Sequence, residues 1–458
     1  MSRGGWIIVA AIAALGLALR LMAAQGALWL DEAWSATAAH DVGTPLGVFL
    51  EVNHDNNHHL NTLWLQLVGL DAAPMLQRAL SIFTGTLAIP VAATVAARQG
   101  KAAALVAALL FAVSPLLVTY GAEARGYAPM VLMLLVTVLL VANWLDDTSK
   151  RVPAIPIFVA VLLGVFSQLT MVFGLAALGL WVCWVAYRSR PAGEATRVAA
   201  RILLPAIVPA VTALAVVLGA ARETGLRFGN FEPFSLWSLA NGWGAMMLAG
   251  FGGPIALIAA IILILPPDTP SRDGPARDRI FFLLVLAIPI GVALAQLGNS
   301  GAPRYHLLSG IGALMLVAMH SGPRLAAGRA SRWPVAAALA LVVVASLITD
   351  WRIIGNGRAD PGVAIDMLVA ARASDVAVER ERSTAILRAG AASRYYPLDI
   401  VETPCPATRF WFVDRDGNAP FPDPATRCGA PYRVVAEGHP TGLSGTHWKL
   451  YERDVAAR

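Results

Sequence analysis

Charged residues are scarce in this chain. Only 14% of its 458 residues are Asp, Glu, Lys or Arg, whereas 57% are hydrophobic and the mean hydropathy is +0.63. An ordinary soluble domain has about 25% charged and roughly 45–50% apolar residues. The shortage of charge excludes an ordinary soluble domain and predicts an integral membrane protein.

Internal repeats, long low-complexity tracts and a Walker-type glycine-rich loop are also missing from the sequence. A nucleotide site of the P-loop type needs such a loop, so none is expected here. A transporter would tend to show paired halves and broken segments near mid-membrane, and neither is clear. A lipid or sugar transporter and a non-catalytic envelope assembly scaffold remain the alternatives to an enzyme.

Eleven apolar segments approach the length of about 20 residues that crosses a bilayer as a helix. They cover residues 6–24, 75–97, 102–121, 129–145, 153–167, 169–187, 200–220, 242–265, 280–297, 305–320 and 333–349. No small-residue cleavage site follows the first segment, which is therefore predicted to be a retained helix. The division at Gln168–Thr170 decides on which side the C-terminus lies.

Arg and Lys residues concentrate in alternate loops, and the positive-inside rule places those loops in the cytoplasm. This pattern predicts a cytoplasmic N-terminus, an outer loop over residues 25–74 and an outer C-terminal region. The formal net charge of +6 follows mostly from this topology. No nucleic acid is therefore expected as a partner.

The composition changes after residue 350, where charge and turn sequences increase. The segment AIDMLVAARA has helical spacing, whereas DVAVE, ATRFWFVD, PYRVVAE and HWKLYER are typical of strands. We predict a transmembrane domain over residues 1–349 and an extracytoplasmic α/β domain over residues 350–458. Cys405 and Cys428 lie in the second domain, where an oxidising compartment would allow a disulfide; two free thiols are the alternative.

Polar residues gather in three segments of the predicted outer face. The outer loop, GAEARGYAPM at 121–130 and SGAPRYHLL at 300–308 carry the candidates Asp31, Glu32, His54, Asp55, His58, His59, Arg125, Arg304 and Tyr305. The two later segments each precede a membrane span. Groups that are distant in sequence but gathered on one face are typical of an active site in a membrane enzyme.

Each candidate also has a structural interpretation. The two carboxylates could form a solvated pair or a helix cap, and the histidines a hydrogen-bonded loop instead of a metal site. Arg125 and Arg304 could extend to lipid headgroups, and Tyr305 could belong to the aromatic belt at the interface. Arg20, near the outer end of the first span, is expected to snorkel or to pack.

The functional interpretation uses these residues together. An Arg before the first turn of a helix suits a phosphate, because the planar guanidinium and the positive end of the helix dipole act jointly. Arg125 and Arg304 would hold a lipid phosphate, and Asp31 would remove a proton from an attacking hydroxyl. Such an arrangement predicts glycosyl transfer.

The order of these motifs resembles the GT-C superfamily of multi-pass membrane glycosyltransferases. The closest similarity is to bacterial members that resemble protein O-mannosyltransferases and lipid A aminoarabinose transferases. This chain has in common with them the early Asp-Glu and a histidine segment that closes the outer loop. It also has EARGY before a later helix, PRY at the start of another, and an outer C-terminal domain. The resemblance implies a mainly α-helical polytopic fold with a small α/β domain, located in the bacterial inner (plasma) membrane.

The resemblance also implies an inverting transfer of one sugar, mannose or arabinofuranose, from a polyprenyl-monophosphate donor. The acceptor would be a glycolipid, polysaccharide or protein outside the cytoplasm. Asp31 would be the general base, with Glu32 supporting it or a metal. Arg125 and Arg304, with Tyr305, would hold the donor phosphate.

The chain departs from the GT-C pattern at the end of its outer loop. Many relatives have His-Pro-Pro there, whereas this chain has His58-His59-Leu60-Asn61. The partner of His58 therefore stays open. Two roles stay open for His54, Asp55, His58 and His59, which could hold a divalent metal or contact the acceptor.

Overall fold

The structure is a computed structural model that describes residues 1–54, 56–222, 225, 232–265, 276–296, 298–403, 405, 408–417, 419–423 and 429–454. Its first part is helical. The helices are, in chain order, α1 (Arg3–Ala23), α2 (Leu30–Asp41), α3 (Pro45–Leu50), α4 (His59–Val68), α5 (Pro74–Gln77), α6 (Ala79–Ala96), α7 (Lys101–Val113), α8 (Pro115–Tyr120), α9 (Tyr127–Asp146), α10 (Ala154–Ser167), α11 (Met171–Ser189), α12 (Ala192–Ala220), α13 (Leu236–Phe251), α14 (Pro254–Ile264), α15 (Ala276–Leu294), α16 (Leu307–Ala326) and α17 (Arg329–Asn356).

The described residues contain six helices that are long and apolar enough to cross a membrane: α1, α6 with its 3-10 extension to Gln99, α9, α11, α12 and α17. A seventh span results if α13 and α14, which meet at 85°, are counted as one broken span. The chain is a multi-pass membrane protein. The predicted count of eleven spans is not confirmed, since α7 and α10 are shorter apolar helices. The predicted break at Gln168–Thr170 is present, because α10 ends at Ser167 and α11 begins at Met171.

The membrane helices pack around one continuous apolar core, in which the guanidinium of Arg20 is also buried. Arg20 donates hydrogen bonds to the carbonyl oxygens of Gly16 at 2.9 Å and Phe111 at 3.0 Å. A buried guanidinium needs such acceptors, because an unpaired charge in an apolar interior is costly. Of the two predicted alternatives for Arg20, packing is confirmed.

The C-terminal part forms a small α/β unit. It consists of α18 (Gly362–Ala370), β1 (Asp375–Val378), α19 (Glu381–Ala392), β2 (Asp399–Glu402), β3 (Phe410–Arg415), β4 (Tyr432–Gly438) and β5 (His447–Arg453). The sheet has the order β2-β1-β3-β5-β4, in which β1 pairs in parallel with β2 and β3 and the remaining pairs are antiparallel. The predicted fold class, helical membrane domain plus small α/β unit, is confirmed.

A second apolar core joins this unit to the outer loop. Trp29, Ala33 and Ala36, at and after the start of α2, pack in one cluster with Ile365 and Val376 of the α/β unit. The ends of α1 and α17 also meet, since Arg358 donates a 2.8 Å hydrogen bond to the carbonyl oxygen of Ala23. The outer loop and the α/β unit therefore lie at the same end of the helical bundle.

The cysteines agree in part with the predicted disulfide. Cys405 is disulfide-bonded. Cys183 in α11 is a free thiol. The predicted partner, Cys428, lies outside the described residues, as does the candidate Asp55.

Candidate active site

Asp31 and Glu32 occupy the first turn of α2, where negative side chains interact favourably with the helix dipole. The Glu32 carboxylate accepts a hydrogen bond from the main-chain N–H of Trp29 at 3.2 Å, at the position where the helix begins. Adjacent residues on a helix point about 100° apart, so the two carboxylates enter different surroundings. Asp31 is 20% exposed, whereas Glu32 is fully buried.

Glu32 forms a buried ion pair with Arg78, which precedes α6. The guanidinium donates from Nε to Oε1 at 2.8 Å and from Nη2 to Oε2 at 2.6 Å, and Oε1 also accepts from the N–H of Ala124 at 2.7 Å. Burial alone would raise the pKa of the Glu32 carboxyl, but the charge and hydrogen bonds of Arg78 outweigh burial and lower that pKa. These contacts favour a positioning role for Glu32 over the metal-supporting role that the resemblance implied.

Asp31 faces two guanidinium groups from distant parts of the chain. Its Oδ2 lies 2.9 Å from Nη1 of Arg125, which precedes α9. The same oxygen lies 3.9 Å from Nη1 of Arg304, in the 3-10 turn before α16. Three of the residues predicted from sequence thus converge, and both cations lie at helix N-terminal ends as expected.

The Arg125 guanidinium is held from several sides. Its Nη2 donates a 2.6 Å hydrogen bond to Oδ1 of Asn56, whose Nδ2 donates to the main-chain oxygen of Asp31 at 2.8 Å. The guanidinium carbon lies 4.9 Å from the centre of the Tyr127 ring and 5.8 Å from that of Trp29, within cation–π range. Arg125 is therefore pre-organised, which limits the entropy lost when an anion binds.

Arg304 and Tyr305 form the more open side of the site. The side chain of Arg304 is 35% exposed, and its guanidinium carbon lies 5.6 Å from the centre of the Tyr305 ring. Burial and Arg125 act to lower the pKa of Arg304, but the nearby Tyr127, Asp31 and Tyr305 outweigh them and raise it. A second cation beside Asp31 therefore stays protonated and can approach an anion from the exposed side.

The histidines of the outer loop do not converge. Nδ1 of His58 lies 3.1 Å from the carbonyl oxygen of Ser167, His59 stacks on Phe49 at 5.2 Å, and His54 contacts Trp34 at 3.9 Å between ring centres. Burial lowers the pKa of His58, with the charge of Arg125 acting in the same direction, and burial lowers the pKa of His59 to about 4. No group of three His, Cys, Asp or Glu side chains suited to a metal occurs in the part of the chain that the structure describes.

The glycine of EARGY is required by close packing. A Cβ atom on Gly126 would lie 1.7 Å from the carbonyl oxygen of Ser167 and 3.0 Å from the Cβ of His58. The turn that carries Arg125 therefore rests directly on the end of α10 and on the outer loop. Any larger residue at this position would force this turn and the end of α10 apart.

Glu123, the first residue of EARGY, links the site to the α/β unit. Its buried carboxylate accepts a hydrogen bond from the hydroxyl of Ser444 and lies 3.9 Å from Nε of Arg358. Burial raises the pKa of Glu123 to about 7, although Arg358 and Arg125 act in the opposite direction. This carboxyl group therefore titrates near neutral pH in the folded protein.

The raised pKa of Glu123 makes stability depend on pH. The folded state holds the proton more tightly than the unfolded state, so the contribution of Glu123 is complete below pH 4.5 and is lost as the pH rises to about 7. We expect Glu123→Gln to remove this loss, so that the variant gains thermal stability relative to the parent between pH 5 and pH 8. Thermal unfolding at several pH values measures this difference in stability, with Glu194→Gln, at an exposed position, as the control. Parallel curves of melting temperature against pH for the parent and Glu123→Gln would contradict the prediction.

The fold of the chain is similar to that of solved membrane proteins. ArnT from Cupriavidus metallidurans bound to undecaprenyl phosphate aligns with a TM-score of 0.56 and 12% identity over 100% of this chain and 99% of that chain. The apo state of the same protein gives 0.59 and 11% over 98% of each chain. The chain has a GT-C fold. The GT-C resemblance of the sequence is thereby confirmed for the fold.

The mycobacterial arabinofuranosyltransferase AftD shares this GT-C fold. It aligns with a TM-score of 0.50 and 16% identity, covering 100% of this chain and 40% of that chain. No protein-family model and no curated protein matches the sequence. The likeness to all these structures lies in the fold, since the identities are 11–16%.

Four residues at or beside the candidate site were missed by the sequence analysis: Asn56, Arg78, Glu123 and Arg358. Arg78 gave a usable signal, because it is the only charged residue in the first part of a predicted span and a charge there needs a buried partner. Glu123 lies inside the quoted EARGY motif. Nothing in the sequence singles out Asn56 or Arg358.

Proposed function

We propose that this GT-C protein is an inverting glycosyltransferase that moves one sugar from a polyprenyl-monophosphate donor to a cell-envelope acceptor. The observation that carries the proposal is the placement of Asp31 2.9 Å from Arg125 and 3.9 Å from Arg304. A base beside two cations fits a reaction in which the base accepts a proton from the acceptor hydroxyl and an anionic phosphate leaves. ArnT, which shares the fold, is known with undecaprenyl phosphate bound.

The proposed reaction follows from the charges of these residues. Arg125 and Arg304, with Tyr305, bind the donor phosphate, and Asp31 accepts the proton of an acceptor hydroxyl. The hydroxyl oxygen forms a bond to the anomeric carbon from the face opposite the phosphate, and the carbon–oxygen bond to the phosphate breaks. Its electron pair leaves with the phosphate, whose growing charge the guanidinium groups stabilise.

Phosphate binding also activates the base in this proposal. Without donor, Asp31 is paired with Arg125, whose buried Nε has no hydrogen-bond partner within the described residues. A phosphate that takes up the Arg125 donors weakens the pull of Arg125 on the Asp31 carboxylate. The Asp31 carboxylate is then released from this ion pair and can face an acceptor hydroxyl when a donor is in place.

The proposal is tested by sugar release from a set of defined polyprenyl-phosphate sugars, including mannosyl and arabinofuranosyl donors, by the purified protein with and without chelator. Turnover of one donor would support the enzyme class and identify the sugar, and the chelator arm would test the open metal role. Tight binding of a donor without turnover, with acceptor extract present, would favour a transporter or an assembly scaffold.

Arg304→Ala is expected to weaken donor use by about 10-fold to 100-fold while leaving acceptor use nearly unchanged, because one charge-assisted phosphate contact is worth about 1.5–3 kcal/mol. Steady-state kinetics with either substrate varied measures the two effects. Arg222→Ala, an exposed arginine in another predicted outer loop, is the matched control. Equal losses for donor and acceptor would indicate a structural role for Arg304.

We further propose that the protein lies in the bacterial inner membrane with its N-terminus in the cytoplasm and the α/β unit outside. The alternating Arg and Lys pattern supports this orientation, as does the location of the outer loop and the α/β unit at one end of the bundle. A C-terminal alkaline phosphatase fusion should be active and a C-terminal fluorescent protein that folds only in the cytoplasm dark. The reverse result would invert the topology.

A further inference from the structure

Two adjoining cavities lie beside the candidate active site. The first, of about 280 Å³, is enclosed by α2, the segment after α3 and the start of α4. The second, of about 420 Å³, lies between α2 and the α/β unit. Trp34, Asp41 and His54 line both cavities, so they form the shared wall. The proposed donor site uses none of these three side chains.

The first cavity reaches the reacting groups through Ser35 and Asn56, which both line it. The Ser35 hydroxyl donates to the main-chain oxygen of Asp31 at 3.0 Å, and Asn56 contacts that same oxygen and Arg125. A molecule in the first cavity would therefore contact residues that themselves contact Asp31, the proposed base. That position suits an acceptor, which has to present a hydroxyl to Asp31.

The lining of the first cavity differs in charge from the donor side. It contains the carboxylates of Asp41 and Glu51 and the amides of Asn53 and Asn56, and no Arg or Lys among its described residues. Carboxylates and amides pair with hydroxyl groups, and the Glu51 carboxylate would repel a phosphate or uronate, whereas the charge of Asp41 is offset by Arg388. The indole of Trp34, 36% exposed, offers an apolar face on which the C–H side of a sugar ring can pack.

The second cavity extends the first toward the α/β unit. Its far wall carries Arg382 and Arg388 of α19, whose charges are already paired, Arg388 with Asp41 at 2.8 Å and Arg382 with Asp416 at 2.7 Å. The pair between Arg388 and Asp41 also fixes α19 against α2. The two cavities together are larger than one sugar ring requires and lie side by side along α2, with Trp34, Asp41 and His54 lining both.

We propose that the two cavities are an acceptor cleft for a neutral oligosaccharide, with its terminal sugar on Trp34 in the first cavity and the preceding sugars in the second. This inference rests on the proposed glycosyltransferase function and specifies the acceptor class. The α/β unit then contributes to acceptor choice by forming the far wall of the cleft.

The test is binding to the full-length protein in nanodiscs, followed by saturation-transfer NMR. The probes are neutral mannose and arabinose disaccharides and tetrasaccharides, a uronic-acid tetrasaccharide and a Ser/Thr-containing peptide. We expect a neutral saccharide to bind and the acidic saccharide and the peptide not to bind. Preferential binding of the peptide or the acidic saccharide would overturn the inference.

Variants locate the saccharide within the cleft. Trp34→Ala should weaken saccharide binding by at least about 10-fold and Trp34→Phe by less, since the phenyl ring keeps part of the packing surface. Trp237→Ala is the matched control, because that tryptophan is 75% exposed at the start of α13. Thr384→Trp, which fills the second cavity, should weaken the tetrasaccharide and spare the disaccharide. Unchanged binding in both Trp34 variants would overturn the assignment.

Donor hydrolysis without acceptor separates this inference from the proposed function. Trp34→Ala should hydrolyse donor at the parent rate, because Trp34 does not contact Asp31 or the phosphate-binding arginines in the proposed reaction. Donor hydrolysis without any saccharide binding would overturn the acceptor cleft and leave the glycosyltransferase proposal intact. Saccharide binding without donor turnover would overturn both the proposed reaction and the acceptor role.

Discussion

Replacing Asp31 with asparagine is expected to reduce sugar transfer by about 10²-fold to 10⁴-fold, the range that a positioned general base contributes. The amide keeps the size of the carboxylate but cannot accept the hydroxyl proton. It also removes the negative charge 2.9 Å from Arg125. Donor binding should therefore be retained or become tighter while the turnover number falls, and separate measurement of donor affinity and turnover shows the two opposite effects.

The matched control for this variant is Asp71→Asn, an exposed carboxylate at the other end of the same outer loop. It should leave transfer and donor affinity unchanged. Near-normal turnover in purified Asp31→Asn would remove Asp31 as the base. A parallel loss of donor affinity and turnover would indicate that Asp31 organises the arginines instead of taking up the proton.

Replacing Arg78 with alanine is expected to lower the free energy of unfolding by about 3–5 kcal/mol, the cost of breaking a buried ion pair. Both side chains are fully buried, so Glu32 would be left charged and unpaired. The guanidinium also donates to the carbonyl oxygens of Ala24, Gly26 and Ala27, each at 2.8 Å, which would lose their partner as well. Denaturant unfolding in detergent measures the change.

Two further variants decide the origin of that loss. Lys150→Ala breaks an exposed pair with Asp147, 3.5 Å apart, and should lower the free energy of unfolding far less, because solvent and salt screen exposed charges. Combining Arg78→Met with Glu32→Gln removes both charges and should recover part of the stability lost in Arg78→Ala. If Arg78→Ala were no less stable than Lys150→Ala, the ion pair between Glu32 and Arg78 would not hold the outer loop in place.

The sequence predicted the fold class and three converging site residues because those features depend on composition and local order. Apolar runs mark membrane helices, and the motifs with Arg125 and Arg304 each precede a helix. The predicted span count is not confirmed, because hydropathy does not register where a helix is broken: the apolar run 102–121 is divided at Ser114 into α7 and α8. Gly252 and Gly253, with φ angles of 82° and 140°, separate two helices that meet at 85° inside one apolar run.

The histidine segment shows why side-chain direction was beyond prediction. Neighbours in sequence suggested one cluster, but His58 lies just before α4 and His59 is its first residue, and their rings contact different groups, the Ser167 carbonyl and the Phe49 ring. The core that α2 shares with the α/β unit was equally hidden. It joins residues more than 300 positions apart, including Ala33 and Ile365, and no local pattern records such a contact.

The contact between Ser444 and Glu123 has a consequence for biosynthesis. A ribosome makes Asp31 and Arg125 long before it reaches Ser444, and the Glu123 carboxylate beneath them lacks its hydroxyl partner until then. Arg358, the other group beside Glu123, also belongs to the last quarter of the chain. A nascent protein therefore carries the candidate site residues before it has made the two later groups, Ser444 and Arg358, that contact Glu123.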